Sequence, residues 1–341
     1  MRAMILAAGY GTRLWPLTLD RAKPALPFMG RPLVGYVAEY LARFGCGEII
    51  VNLHHRPESV RAALGDGRDF GVRLSYIEEP VILGTSGAID NARAYLEGDT
   101  FIAVNGKIAT DIDLRAALAT HRRERALATL VLRRNVERER YSTIEVEDNL
   151  IKSFGGYPAF ASDNAGSANS VSEPGSAQSV DDAPLMFTGI QILEPRIFDY
   201  IPRGVFSHSV TDVYLPAIAH GERIAAHIGG GMWHELSTIR RYRDISLALM
   251  RLEGRDVQLG RDSSVEPGAD LSESILWEDV RVEAGARVHR AVLGAGVRIG
   301  AGEVIEDAAV VRAALVRAEE RPAKALAGEV RGDNFVVPLA Q

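Results

Sequence analysis

The sequence predicts an α/β protein: a mostly parallel, doubly wound sheet followed by a short left-handed parallel β-helix. Three observations predict it. Short apolar runs alternate with helical patterns over the first half, a glycine loop follows the first run, and a glycine-cornered repeat begins near residue 256. Residues 4–8, Met-Ile-Leu-Ala-Ala, are wholly apolar and stop at Gly9, the composition of a strand buried on both faces. Residues 33–44 have helical periodicity and 48–52 return to a short apolar run. The alternation continues as helix 59–64, strand 74–77, helix 85–96, strand 101–104, helix 114–124 and strand 128–132. Strands separated by helices build a Rossmann-like sheet, whose ligands bind beyond the carboxyl ends of the strands. Motifs placed directly after a strand therefore carry weight.

Residues 161–182 hold two valines and no other large aliphatic or aromatic side chain. Such a segment lacks the apolar surface to offset its ordering entropy, so it is read as a low-complexity surface insertion in a domain spanning 1–250. From 256 to 317 the texture changes. Gly268, Gly285 and Gly302 stand 17 residues apart, and apolar residues keep that phase: Leu271, Val288, Ile305; Leu276, Leu293, Val310; Val282, Ile299, Val316. A period near three turns of a six-residue repeat is one coil of a left-handed β-helix, with glycine at its corners. From Ala318 to the end the repeat is lost, and 318–341 is expected to be an extended arm.

Composition bounds the partners. The 341 residues carry 39 Lys plus Arg against 45 Asp plus Glu, a net charge of −6, which argues against a nucleic-acid-coating protein. The single cysteine, Cys46, can form neither an internal disulfide nor a thiolate zinc site, and is expected to be buried near a helix end. No apolar run reaches the roughly 18 residues of a membrane span. The apolar start reads as a strand rather than a signal peptide, so a cytoplasmic location and no membrane partner are expected.

The chemistry begins at Gly9-Tyr10-Gly11-Thr12-Arg13-Leu14. Leu14 occupies the place of the third glycine of a dinucleotide fingerprint, and no Gly-Lys-Ser/Thr follows to make a P-loop. What remains is a loop of exposed backbone N–H groups, then Arg13 and Lys23, with Pro24 and Pro27 stiffening the segment that presents Lys23. Amides, a bidentate guanidinium and a point-charge ammonium together suit a polyphosphate.

The run Leu6-Ala7-Ala8-Gly9-Tyr10-Gly11-Thr12-Arg13-Leu14-Trp15-Pro16-Leu17-Thr18, with Ala22-Lys23-Pro24 and Pro27, resembles the signature of sugar-phosphate nucleotidyltransferases, the nucleoside-diphosphate-sugar pyrophosphorylases. Glu78-Glu79-Pro80 with Leu83-Gly84-Thr85-Ser86-Gly87, Phe187-Thr188-Gly189, Ser209-Val210-Thr211-Asp212 and Trp233-His234-Glu235 match later motifs in order. A β-helical tail resembles that of mannose-1-phosphate guanylyltransferase-like members. The resemblance implies that a sugar 1-phosphate attacks the α-phosphorus of a nucleoside triphosphate and pyrophosphate leaves, with GTP and mannose 1-phosphate the first expectation. It implies Arg13 on the β- and γ-phosphates, Lys23 near the α-phosphate, and Leu6, Ala7, Ala8, Gly9, Gly11, Thr12, Glu79, Gly84 and Thr85 around the nucleotide. Asn105, Gly106, Thr188 and Gly189 would line the sugar site.

The departures concern Mg²⁺, the cofactor the resemblance implies. Relatives hold it with an Asp after Asn-Gly and a second Asp in Trp-x-Asp; here Lys107 and Glu235 stand in those places. An ammonium cannot ligate Mg²⁺. Either Lys107 supplies charge in place of part of the metal's role, with any Mg²⁺ held by Glu235, Asp111 or substrate phosphates, or the chain is a non-catalytic nucleotide-sugar-binding regulator. A Glu-Lys-Pro expected before the insertion is replaced by Gly155-Gly156-Tyr157-Pro158. Weaker signals are His54-His55 with Glu58, read as a surface turn, and Arg122, Arg123 and Arg125, read as a solvated helix end. His289 in the repeat invites an acyltransferase alternative, though a structural role, with the β-helix joining copies of the chain, is the expectation.

Overall fold

The computed structural model describes residues 1–137, 139, 141–155, 157–158 and 182–340; the insertion expected at 161–182 lies, apart from Asp182, outside them. In chain order the first lobe runs β1 (Arg2–Leu6), α1 (Leu33–Arg43), β2 (Glu48–Leu53), α2 (Pro57–Leu64), β3 (Arg73–Glu78), α3 (Gly84–Asn91), β4 (Phe101–Asn105), β5 (Ile108–Thr110) and α4 (Leu114–Glu124). It continues with β6 (Ala128–Arg134), β7 (Thr143–Glu147), β8 (Leu150–Phe154), β9 (Leu185–Leu193), β10 (Ile224–Ile228), β11 (Trp233–Glu235) and α5 (Ile239–Leu252). The sheet order is β8-β10-β6-β9-β4-β1-β2-β3, with β7 beside β8 and β9, and Tyr157–Pro158 beyond β8.

Strands β1 to β4 pair in parallel, as does β10 with β6. Alternate residues of β1 enter opposite cores, Ala3 and Ile5 on one face and Met4 on the other, so the strand is apolar after Arg2 because both faces are covered. α1 buries Val34, Val37, Ala38 and Leu41 at helical spacing. α4 starts where the Asp113 carboxylate accepts the Arg115 N–H at 2.9 Å, and it stops at Arg125 in the left-handed region. The helix expected over 85–96 is two, divided at Ala92, which turns off the helical path before Arg93–Leu96.

The sheet is mixed, because β9 runs antiparallel between β4 and β6. Between Phe187 and Ile190 it gains two residues on β6, so Thr188 and Gly189 bulge out of the ladder. Leu6 and Asn105 are register partners at the carboxyl ends of β1 and β4.

The second lobe is a three-sided parallel coil. Its sides align Ile275 with Val292, Val265 with Val282 and Ile299, and Leu271 with Val288 and Ile305, the expected 17-residue offset. Val282, Val288, Leu293, Ile299, Ile305 and Val310 fill its interior. Val316, expected to continue the phase, instead lies in the one-turn helix Ala313–Val316. The 318–341 segment is not an extended arm along its whole length: Asn334–Pro338 pairs antiparallel with Ala308–Arg312 and closes the last coil edge. Burial of Phe335, Val336 and Val337 explains the return.

A third core joins the lobes. Leu14, Trp15, Leu17, Leu26 and Phe28 pack with Trp277, Phe335, Val337 and Leu339. Tyr242 of α5 donates its hydroxyl to Pro27 O and accepts the Trp277 indole N–H at 3.0 Å. Arg21 lies 4.9 Å over the Trp277 ring and pairs with Glu278. The segment between Arg13 and Lys23 is thus clamped from the β-helix side. Among the described residues no helix is long and apolar enough to cross a membrane.

Candidate active site

The loop after β1 is irregular until the short turn Thr12–Leu14. The N–H groups of Gly9, Tyr10 and Gly11 donate to nothing among the described residues, so they are available to an anion. Gly11 has φ +68, and a Cβ there would lie 3.0 Å from Lys23 Cβ and 3.1 Å from Thr18 Cγ2. Glycine therefore lets the loop and the Lys23 segment touch. Leu6, Ala7, Ala8, Gly9, Gly11, Thr12, Arg13, Lys23, Gly84, Thr85 and Gly106 line a cavity of about 450 Å³. Arg13 is exposed and makes no hydrogen bond or ion pair among the described residues. Lys23 is buried. Burial and the neighbouring Lys107 ammonium push its pKa down to about 7; Glu235 opposes the shift and Arg13 adds to it.

A second cavity of about 470 Å³ adjoins the first. Thr188, Gly189, Tyr141, Phe154, Tyr214 and Glu235 are among its walls, and Leu6, Thr85, Asn105, Lys107 and His208 line both cavities. The Lys107 ammonium pairs with the buried Glu235 carboxylate, which also accepts the Tyr141 hydroxyl at 2.7 Å. Burial raises the Glu235 pKa, but Lys107, Tyr141 and Lys23 outweigh it and hold the carboxyl below its ordinary value. The strand carrying Glu235 is fixed on three sides. The Trp233 indole donates to Thr188 O at 2.9 Å, Arg133 donates to Trp233 O at 3.0 Å, and Arg241 donates to Glu235 O at 3.0 Å.

Gly189 has φ +85, and a Cβ there would lie 2.4 Å from Asn105 Nδ2. Gly189→Ala is expected to destabilise the fold by about 1–3 kcal/mol and to displace Asn105 from the wall shared by both cavities. Thermal melts and ligand titration of the variant check this.

Two residues expected in the site lie elsewhere. Glu79 lines neither cavity; it is buried, accepting Asn52 Nδ2 at 2.6 Å and the Leu83 N–H at 2.9 Å. Asn52 in turn accepts the Ala7 N–H at 2.7 Å. Glu79 thus ties the ends of β1 and β2 to the loop before α3, because a buried carboxylate requires donors on its oxygens. Asp111 is exposed, accepts the Met232 N–H at 2.6 Å, and faces neither cavity. Mg²⁺ accordingly finds a poor fit. Glu235 already holds an ammonium and a hydroxyl, and among the described residues no three His, Cys, Asp or Glu side chains group as metal ligands.

Sequence reasoning missed Asn52, Tyr141 and His208. Asn52 was recoverable as a polar residue at the carboxyl end of a parallel strand; Tyr141 and His208 carry no such signal. His54 bonds Glu79 O at 2.7 Å and Tyr10 Oη at 3.1 Å, His289 bonds Ser272 Oγ at 2.8 Å, and Cys46 is buried. Gly156 lies outside the described residues, while the backbone of Tyr157–Pro158 pairs with Ser153 and Phe154.

A family model described as nucleotidyl transferase matches residues 2–251. The chain belongs to that family. Residues 254–319 of this nucleotidyltransferase match a GlmU-like C-terminal hexapeptide model, which makes the coil a left-handed β-helix. The chain is 32% identical over 251 residues to N-acetylmuramate alpha-1-phosphate uridylyltransferase of Neisseria meningitidis, covering 72% of this chain and 96% of the relative. It is 29% identical to mannose-1-phosphate guanylyltransferase of Mycobacterium tuberculosis, over 78% of this chain and 72% of the relative. It is 28% identical to UTP–glucose-1-phosphate uridylyltransferase of Synechocystis, over 76% of this chain and 66% of that protein's length. The nucleotidyltransferase shares its fold with a putative glucose-1-phosphate thymidylyltransferase from Bacillus anthracis, at TM-score 0.59 and 21% identity, over 76% of this chain and 98% of the other.

Proposed function

We propose that this nucleotidyltransferase joins a nucleoside triphosphate to a sugar 1-phosphate and releases pyrophosphate. The observation that carries the reading is the shared wall: Leu6, Thr85, Asn105, Lys107 and His208 line both cavities, so ligands in the two meet at Lys107. A sugar phosphate needs no deprotonation to attack, since its second pKa is about 6. One of its oxygens forms a bond to the α-phosphorus while the bond from that phosphorus to the bridging oxygen breaks, and the electron pair leaves with pyrophosphate. The protein's task is alignment and charge stabilisation. In this reading the free amides of the loop cradle the triphosphate, Arg13 faces the leaving pyrophosphate, and Lys23 and Lys107 face the reacting phosphates.

GTP with mannose 1-phosphate is the pair to assay first, supported by the guanylyltransferase relative. Two uridylyltransferase relatives place UTP on the same panel. The test is pyrophosphate release across nucleoside triphosphates and sugar 1-phosphates, with and without divalent metal. Turnover with at least one pair is expected; binding without turnover across the panel would establish the second reading, a nucleotide-sugar-binding regulator. That reading is favoured by one observation, the engagement of Glu235 by Lys107. Association through the β-helix is part of the proposal, supported by the hexapeptide match, and sedimentation of the full chain reads it.

A further inference from the structure

Arg13, Lys23 and Lys107 are the cations in the two cavity walls, and Glu235 is the only carboxylate there among the described residues. A divalent cation entering this site meets an excess of positive charge and a carboxylate already engaged. Two phosphate-bearing ligands meet the opposite. The Lys107 side chain is 34% exposed, against 7% for Glu235, so the pair presents its ammonium end to the cavities. An ammonium has three N–H donors, and Glu235 occupies one direction. The β11 strand is anchored at Trp233 and at the Glu235 carbonyl, so the carboxylate holds the ammonium at one place on the seam.

We infer that Lys107 is the cation that bridges the two anionic ligands of this site, and that the nucleoside triphosphate binds without a divalent metal. Glu235 and Tyr141 are positioning residues for that ammonium. The inference rests on the nucleotidyltransferase reading above. It differs from simple loss of a metal site, because the charge is replaced at the junction rather than removed.

The test is calorimetric titration of the full chain with GTP, UTP and dTTP, once in EDTA and once in MgCl₂. At least one triphosphate is expected to bind in EDTA with a Kd no more than about threefold above that in MgCl₂. Lys107→Met is expected to weaken binding in EDTA by about ten- to a hundredfold, the loss of charge-assisted hydrogen bonds. Lys107→Asp should bind as weakly in EDTA but recover in MgCl₂, with Mn²⁺ binding to that variant alone visible by electron paramagnetic resonance. Wild-type binding that disappears in EDTA and returns with Mg²⁺ overturns the inference and leaves the functional reading standing. Absence of binding in both conditions overturns both. The wild-type comparison needs no variant to fold, and circular dichroism establishes the fold of the two that are made.

Discussion

Arg13→Ala is expected to lower kcat for pyrophosphate release by about 10²–10³-fold, the effect of removing one preorganised charge donor from a reacting oxyanion. The same change should leave the melting temperature nearly untouched. Arg13 is exposed, makes no hydrogen bond or ion pair among the described residues, and lies in the wall of the loop-side cavity. Its removal therefore costs the fold nothing that the structure shows. Arg13→Lys should recover part of the rate, because the charge returns while the two-pronged donor geometry does not. Steady-state pyrophosphate release and a thermal melt on the same samples check the pair.

Lys23→Met should separate activity from stability in the other direction: at least about a hundredfold loss of turnover with a higher melting temperature. Burial and Lys107 depress the Lys23 pKa from its ordinary 10.5 to about 7. The unfolded chain therefore holds more protons than the folded one between those values, and stability rises with pH across that window. Below pH 7 the ammonium is retained in both states and its burial penalty is fully present. The methionine variant lacks this pH slope, which urea unfolding at pH 7 and pH 9 would reveal. A bound triphosphate favours the charged form, so nucleotide binding at pH 8 should take up a proton. Calorimetry in buffers of different ionisation enthalpy measures that uptake. Triphosphate affinity should fall as pH rises above 7.

Much of this architecture was legible because local physics and tertiary context agree. Residues 4–8 are apolar throughout since both faces of β1 are covered, and the 17-residue phase survives since each coil repeats the same inward positions. Arg13 and Lys23 were legible for a related reason: they flank a loop that must follow a strand at the ligand end of the sheet. What was not legible depends on long-range pairing. Glu79 follows a strand as a binding residue would, yet Asn52 and Leu83 turn it inward as a brace. Asp111 is close to Lys107 in sequence, but the antiparallel pairing of β5 with the distant β11 carries it past the cavities to the backbone of Met232. Tyr141 reaches Glu235 across 94 residues, a contact that no spacing announces. The return of Asn334–Pro338 was equally hidden, because the loss of the repeat after 317 carries no sign that the chain folds back onto Ala308–Arg312.

That return has a consequence for how the chain is made. Phe335 meets Trp15 with ring centroids 5.5 Å apart, and Leu339 enters the same core as Leu14 and Leu17. A ribosome-bound chain with residues 335–339 still in the exit tunnel cannot complete this core, however early the β1 sheet forms. The segment carrying Arg13 and Lys23 must wait until residues 335–339 have been made before its outer side is covered.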